Sequence, residues 1–265
     1  MSEYPLALSE AELGRYRFMA EAAAGMERDL WAAAGITDGA VVADVGCGPG
    51  AVSVVLAGLV GESGRVVAVD RDPNAVEAAR AAAVQAGATN ISFDVGDADA
   101  TGIAPGSVDV VMIRHVLAHN GPLEASIVAH AAGLVRPGGH VYLADIDMDG
   151  LRLRPPDPEI AELNALYNQW HAAQGNDLSV GLRLAELLAT AGLVDIAHHG
   201  RVQIFALPVG LRPPSWAARE TLVAAGSATA DDLARWEAAF ERIDKAEPRP
   251  TNFVPLFFAS GRRSA

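Results

Sequence analysis

The chain has 265 residues, of which 51% are hydrophobic and 20% charged, a composition typical of a folded globular protein rather than a disordered one. Its formal net charge of −13 repels phosphate backbones and anionic lipid, so we expect neither nucleic acid nor a membrane as a partner. The single cysteine, Cys47, excludes an internal disulfide, and the absence of a secretory or membrane-spanning pattern indicates a cytoplasmic protein.

The first half of the chain alternates between helix-like and strand-like runs. Helical spacing of apolar residues predicts a first helix over 9–34. Strands are then predicted at 40–45, 65–70, 91–95, 108–113 and 140–145, and helices at 50–60, 73–86, 116–119 and 123–135. Strands rich in Val, Ile and Ala that are separated by helices indicate a parallel sheet covered on both faces.

The rhythm changes after the proline-rich segment 152–158. Further helices are predicted at 158–173, 179–191, 215–225 and 230–246, and further strands at 194–207 and 253–261. We therefore expect three parts: an N-terminal helical segment (1–39), an α/β core (40–150), and the rest of the sheet with helical insertions (151–265).

The most informative segment is a glycine turn between the first two predicted strands. Asp44 ends the first apolar run, and Asp70 ends the second. Between them stand three glycines at alternate positions, Gly46, Gly48 and Gly50. Glycine lets the backbone approach a ligand closely, and a carboxylate at the end of the second strand is placed to accept hydrogen bonds from ribose hydroxyls. The pattern predicts a cofactor that contains adenosine.

Two cofactor types fit this turn. It also satisfies the pattern of a nicotinamide-binding turn, with Asp70 as the acidic partner. Against that alternative, Asp44 would repel a pyrophosphate, and Asp97 with Ala98 follows the third strand, where a carboxylate can accept from the adenine amine. The Tyr-x-x-x-Lys pair of short-chain reductases is also missing from the sequence. A nicotinamide-dependent oxidoreductase stays as the alternative.

Five segments together resemble the class I S-adenosylmethionine-dependent methyltransferases, especially the ubiquinone/menaquinone-type and natural-product branches. They are residues 44–50, Asp70, Asp97 with Ala98, residues 107–119 and residues 134–145. The resemblance implies an α/β, Rossmann-like, seven-stranded, mostly parallel sheet with helices on both faces, a helical cap and an antiparallel last strand. It also implies an enzyme that transfers a methyl group from S-adenosylmethionine to an O, N or C atom of a small molecule in secondary or quinone-type metabolism.

The resemblance assigns cofactor-binding roles along residues 16–114. Asp70 would hold both ribose hydroxyls, while Asp97 and Ala98 would read the adenine edge. Arg114 would lie near the methionyl end, and Tyr16 would contact the cofactor from an N-terminal lid. The full implied set is Tyr16, Asp44, Gly46, Cys47, Gly48, Asp70, Arg71, Asp97, Ala98 and Arg114.

Catalytic and substrate-binding candidates follow the fourth and fifth strands. Methyl transfer chiefly needs alignment and exclusion of water, and it needs a base only where the acceptor must lose a proton. His115 and His119, four residues apart, are candidate bases, and the alternative for each is a histidine that hydrogen-bonds to backbone beside the cofactor. Tyr167, Trp170 and His171 line a substrate pocket or else pack the cap on the sheet.

Three further points concern metals, the reaction type and the oligomeric state. No cluster has metal-ligand spacing, so we expect no metal. The chain could also bind S-adenosylmethionine to steer a cyclisation without transferring methyl. Trp216 and Trp236 belong either to the core of the cap or to a subunit contact, so a homodimer is a further expectation.

Overall fold

The protein has an α/β fold built on one mixed sheet. The computed structural model describes residues 10–265, with side chains from residue 13 onward. Within these residues the strands are β1 (Val41–Val45), β2 (Arg65–Asp70), β3 (Ile91–Val95), β4 (Val108–Arg114), β5 (Val135–Ile146), β6 (Arg152–Arg154), β7 (Val194–Ala206) and β8 (Thr251–Arg262). The helices are α1 (Glu10–Met26), α2 (Arg28–Ala33), α3 (Ala51–Val60), α4 (Pro73–Ala86), α5 (Glu124–Leu134), α6 (Pro158–Ala172), α7 (Leu184–Thr190), α8 (Pro214–Ala217), α9 (Arg219–Ala224) and α10 (Ala230–Lys245).

Five parallel strands form the centre of the sheet in the order β3-β2-β1-β4-β5. The last strand, β8, runs antiparallel to β5, and β7 pairs with the other edge of β8. The strand order reverses between β1 and β4, because β2 and β3 lie on one side of β1 whereas β4 and β5 lie on the other. Open parallel sheets bind ligands at the carboxyl ends of the strands beside such a reversal. The Rossmann-like, mostly parallel sheet and the antiparallel last strand are thus confirmed.

The sheet has one strand more than the seven expected. Residues 152–154, in the segment that the sequence suggested to be a proline-rich break, form β6 against residues 251–253 of β8. Three residues are too few to show strand periodicity in the sequence, and their pairing partner lies about a hundred residues further along the chain.

Two apolar cores cover the faces of the sheet. α2, α3 and α4 pack on one face, and α5 and α7 pack on the other. Strand side chains such as Val42 and Val111 are fully buried because both faces are covered, which explains the nearly continuous apolar runs of the strands. A third core joins α6, α9 and α10 into the cap.

The cap core includes the two tryptophans that the sequence left open. Trp236 is fully buried, and the Trp216 ring packs edge-on against Phe240 with 5.0 Å between centroids. Both residues therefore stabilise the cap itself. Among the helices of residues 10–265, none combines the length and the apolar character that crossing a bilayer requires.

The N-terminal segment is two helices rather than the single helix predicted over 9–34, of which residue 9 lies outside the described residues. The break is at Glu27, whose carboxylate turns inward and is fully buried. There it accepts hydrogen bonds from Trp31 Nε1 at 3.2 Å and from the Tyr142 hydroxyl at 2.9 Å. A buried carboxylate is tolerated only with such partners.

Candidate active site

A cavity of about 970 Å³ opens at the carboxyl ends of the parallel strands. The sheet side is formed by the glycine turn and the ends of β2, β4 and β5, and the opposite side by α1 and the cap. Every one of the ten expected cofactor residues lines it, namely Tyr16, Asp44, Gly46, Cys47, Gly48, Asp70, Arg71, Asp97, Ala98 and Arg114. The volume is at the upper end of the roughly 300–1,000 Å³ of small-molecule sites.

The glycine turn is tight enough to require glycine. Gly46 has φ +76°, and a Cβ there would overlap the side chain of Val116. Gly48 has φ +52°, and a Cβ there would meet the Tyr16 ring at 3.6 Å. The turn is thus bare peptide, with an aromatic ring from α1 lying over it.

Asp70 organises this side of the cavity. Its Oδ2 accepts from the Gly48 amide at 2.8 Å, and its Oδ1 accepts from the Asp72 amide at 3.0 Å. A carboxylate has about four lone-pair sites, so about two are left over after these bonds. The Gly96 amide donates to the Asp70 carbonyl at 3.0 Å and so joins the end of β3, followed by Asp97 and Ala98, to the end of β2.

Burial raises the pKa of two further groups below the turn, the Asp44 carboxyl and the Cys47 thiol. Asp44 is buried and accepts a 2.6 Å hydrogen bond from Ser53 Oγ, and burial raises the pKa of its carboxyl to about 6. Burial also raises the pKa of the Cys47 thiol far above its usual range. A thiol that stays protonated is a poor nucleophile, so Cys47 acts as a small residue in a crowded turn.

Arg114, at the end of β4, is held by Glu27. The Glu27 Oε1 accepts from Nε and Nη2 of Arg114 at 3.1 and 2.9 Å. Both side chains line the cavity. The expectation that Arg114 lies near the methionyl end of the cofactor did not include this partner. Tyr142 donates to the same carboxylate. Burial raises the pKa of the Tyr142 hydroxyl, and the negative charge of Glu27 raises it further.

His115 follows β4 in an unusual backbone conformation. Its φ is +56°, in the left-handed region, and its amide donates to the Ala144 carbonyl at 2.8 Å. Its Nδ1 lies 3.6 Å from Asp145 Oδ1 at the end of β5. Burial lowers the pKa of the imidazole, with Arg114 adding to the effect, and Asp145 opposes both. His115 lines the cavity as a neutral ring at pH 7.

His119 also lines the cavity, but its ring packs into an aromatic cluster. Its centroid lies 4.9 Å from that of His171, which in turn contacts the rings of Tyr167 at 4.5 Å and Trp170 at 4.8 Å. Burial lowers the pKa of His119 to about 4 and that of His171 to about 3. Of the three expected substrate residues, Tyr167 lines the cavity, whereas Trp170 and His171 do not.

The cap side of the cavity is mostly apolar. Its members come from β7, the loop after it, α10 and β8, and they are Phe205, Leu207, Leu211, Phe240, Ile243 and Val254. Arg152 and Arg154 of β6 also line the cavity. The guanidinium of Arg212, in the loop after β7, stacks over Phe240 at 4.5 Å and pairs with Asp244 at 2.5 Å. Its charge is therefore already balanced.

Two site residues were missed by sequence reasoning. Asp145 ends a predicted strand of the parallel sheet, so its place at the ligand edge was a usable signal. Glu27 gave no signal, since a glutamate between helical residues is usually exposed. Neither residue has a neighbour in sequence that reveals its partners. Within residues 13–265 no group of three or more His, Cys, Asp or Glu side chains is arranged to hold a metal ion.

The similarity of the sequence to known proteins agrees with this geometry. Residues 36–192, more than half of the chain, match the family described as Methyltransferase domain. The chain is 36% identical to a ribosomal protein L11 methyltransferase from Dechloromonas aromatica, over 56% of this chain and 43% of that protein. It is 28% identical to a demethylmenaquinone methyltransferase from Lactococcus lactis, over 66% of this chain and 76% of that protein.

A solved structure has the same fold. A candidate methyltransferase from Bacillus halodurans superposes with a TM-score of 0.60 at 18% identity, over 91% of this chain and 100% of that one. The chain spans less than half the length of the first three curated relatives it matches. The fold, the glycine turn and the family match together assign this chain to the methyltransferase-domain family, with the class I architecture that its sequence resembles.

Proposed function

We propose that the protein transfers a methyl group from S-adenosylmethionine to a small, largely apolar molecule. The observation that carries this proposal is one continuous cavity, which is polar and glycine-rich on the sheet side and mostly apolar on the cap side. The family match supports the donor. The demethylmenaquinone methyltransferase of Lactococcus lactis supports an apolar acceptor, and with it a role in quinone-type or secondary metabolism.

The chemistry of the sheet side fits S-adenosylmethionine. The lone pairs that Asp70 has left suit ribose hydroxyls, and Asp97 suits the adenine amine. The bare backbone at Gly46 and Gly48 leaves room for the methionyl chain. The Asp44 carboxylate at the base of the turn suits an ammonium group.

The protein's task is alignment rather than activation. When bound, S-adenosylmethionine supplies a methyl group on a positively charged sulfur that leaves readily. The cavity walls hold an acceptor in line and exclude water, and such positioning supplies about 7–11 kcal/mol of a barrier. The apolar cap side gives an acceptor its affinity through buried area.

We also propose that the N-terminal segment, residues 1–39, acts as a lid over the core, and that residues 151–265 supply the substrate cap. Tyr16 of α1 lies over Gly48. Phe18 of α1 packs against Phe205 of β7, with ring centroids 5.5 Å apart. These contacts join the lid to both the glycine turn and the cap, so the lid would close over both ligands.

The test is transfer itself. The protein is incubated with methyl-labelled S-adenosylmethionine and a panel of small apolar alcohols, phenols and amines. We expect an acceptor to gain one CH₂ in mass spectrometry, with adenosylhomocysteine formed in equal amount. Binding of NADH without such a gain would support an oxidoreductase, and a rearranged product of unchanged mass would support a cyclase. A homodimer stays a prediction that light scattering of the purified protein checks.

A further inference from the structure

Two hydrogen-bond acceptors in the cavity wall find no donor among the described residues. They are Nε2 of His115 and Oδ1 of Asn168, both buried from solvent and both on residues that line the cavity. A buried polar atom without a partner carries a desolvation cost, so native proteins rarely have one without a functional reason. A ligand that brings donors to both atoms would remove that cost.

The protonation of His115 Nε2 follows from the group that faces the other ring nitrogen. Asp145 faces Nδ1, and its carboxylate accepts from the backbone amides of Ala118 at 3.2 Å and Ile146 at 3.0 Å. A group that only accepts favours the proton on Nδ1. Nε2 is then left with a lone pair that can take a proton.

The orientation of the Asn168 side-chain amide follows in the same way. Its Nδ2 donates to Asp149 Oδ1 at 3.0 Å. A carboxylate cannot donate, so the amide nitrogen must face Asp149 and the oxygen must face away from it. Oδ1 is therefore a second acceptor.

The backbone at His115 is a further, independent observation. Among the described residues, His115 and Asp195 alone have a positive φ without being glycine. Such a conformation costs conformational energy and is concentrated at functional sites. It directs the His115 side chain from the end of β4 to Asp145 on β5.

We propose that His115 is the general base of the methyl transfer, that Asp145 positions it, and that the acceptor is a hydroxyl group on an apolar molecule. The inference rests on the methyl transfer proposed above. The hydroxyl proton passes to His115 Nε2. A lone pair of the same oxygen forms the bond to the methyl carbon, and the electrons of the broken carbon–sulfur bond stay with sulfur. The positive charge thus moves from sulfur to the imidazolium beside Asp145, while a second donor of the molecule satisfies Asn168.

The charges around His115 suit this role. Arg114 precedes it on β4, Glu27 faces it from the α1–α2 junction, Asp145 faces it from β5, and His119 lies in the turn that follows. Burial and Arg114 lower the pKa of His115, whereas Asp145 and Glu27 raise it. The ring is therefore neutral and able to accept a proton at pH 7. Burial lowers the pKa of His119 to about 4, and its ring packs against that of His171 in the aromatic cluster.

The experiment uses a panel of phenols and naphthols, with their methyl ethers and the matching amines as probes. We expect wild-type protein to methylate a hydroxyl of the panel. Its kcat/KM should fall in acid as His115 becomes protonated, at a pH below the ordinary histidine value of 6.5 because burial lowers the pKa of the ring. His115→Asn keeps a residue that tolerates left-handed backbone and should lower kcat by about 10²–10⁴-fold. His199→Gln, at an exposed histidine of β7 outside the cavity, should leave kcat unchanged.

Asp145→Asn distinguishes positioning from a structural role. It should lower kcat with little change in KM, and it should move the acid limb to lower pH because the carboxylate that raises the His115 pKa is gone. Asp145→Glu should restore part of kcat. Nitrogen-15 NMR of the histidine rings gives a readout without turnover: we expect the Nδ1–H form at His115 in the wild type and a gain of the Nε2–H form in Asp145→Asn.

Adenosylhomocysteine binding distinguishes a failure of the His115 assignment from a failure of the proposed methyl transfer. A His115→Asn variant that binds it normally and methylates hydroxyls at the wild-type rate would overturn His115 as base and leave methyl transfer standing. Methylation of the amines alone would overturn the hydroxyl acceptor. A wild-type protein that binds no adenosylhomocysteine would instead remove the proposed function itself.

Discussion

Glu27 and Arg114 form a buried ion pair in the cavity wall, with 0% and 8% of their side chains exposed. The pair joins the α1–α2 junction to the end of β4, 87 residues further along the chain. Trp31 and Tyr142 donate to the other carboxylate oxygen, so each side of Glu27 has its partner. The Glu27 carboxylate therefore helps to hold the N-terminal helices over the cavity.

Replacing Glu27 by alanine should lower the free energy of unfolding by about 3–5 kcal/mol, because it leaves Arg114 buried and uncompensated. Urea denaturation measures this. The control is Glu62→Ala at an exposed turn, expected within about 0.5 kcal/mol of wild type. A loss below about 1 kcal/mol in Glu27→Ala would mean that the pair contributes little.

Two glycines in the left-handed backbone region should differ in how well they tolerate replacement by alanine. Gly46 and Gly87 have φ +76° and +66°, but a Cβ at Gly46 overlaps Val116, whereas a Cβ at Gly87 has nothing within 4 Å. Gly46→Ala should therefore cost about 1–3 kcal/mol more stability than Gly87→Ala, and it alone should weaken adenosylhomocysteine binding. Equal losses in the two variants would argue against the tight turn.

The lid contact of Tyr16 should appear in cofactor affinity. Tyr16→Ala should weaken adenosylhomocysteine binding by roughly 1–2 kcal/mol, since the aromatic cover over Gly48 is lost. Calorimetric titration measures the change. Arg17→Ala, at an exposed position of the same helix, is the matched control, and the lid role would be contradicted by equal affinities in the two variants.

The buried histidine cluster should make stability depend on pH. The pKa of His171 is about 3 in the folded protein, against an ordinary value of 6.5, so the unfolded chain binds the extra proton below pH 6.5. This contribution to stability is complete above pH 6.5 and is lost as pH falls toward the folded-state value. Asp44, with its raised pKa, acts in the opposite direction between about pH 4 and 6.

A difference measurement isolates His171 from the other groups. Between pH 7 and pH 5, wild-type protein should lose about 2 kcal/mol more stability than His171→Phe, because 1.5 units below 6.5 correspond to about that free energy. Urea unfolding at both pH values gives the difference. Parallel losses in the two proteins would show that His171 is protonated in the folded state.

The α/β core could be predicted from local pattern. Four of the five parallel strands contain a short apolar run, β3 alternates apolar and polar residues, and the glycine turn with Asp70 lies within 27 residues. Right-handed crossovers then bring the strand ends to one edge. The ten cofactor residues come from this regular part, apart from Tyr16, and all of them line the cavity.

The rest depends on contacts between distant segments. Glu27 meets Tyr142 across 115 residues, and His119 meets His171 across the cap, so neither environment could be inferred from neighbours in sequence. The direction of the Trp170 and His171 side chains depended on how α6 packs. Helical spacing indicates a shared face but not what that face contacts.

The most direct test of the central claim is calorimetric titration with adenosylhomocysteine of the wild type, Asp70→Ala and Asp94→Ala. Asp94 is an exposed residue of β3 outside the cavity and serves as the matched control. We expect tight binding to the wild type and to Asp94→Ala, and a loss of about 1–3 kcal/mol in Asp70→Ala, from the unpaired ribose hydroxyls. No binding to the wild type, or equal affinity in all three proteins, would contradict the account.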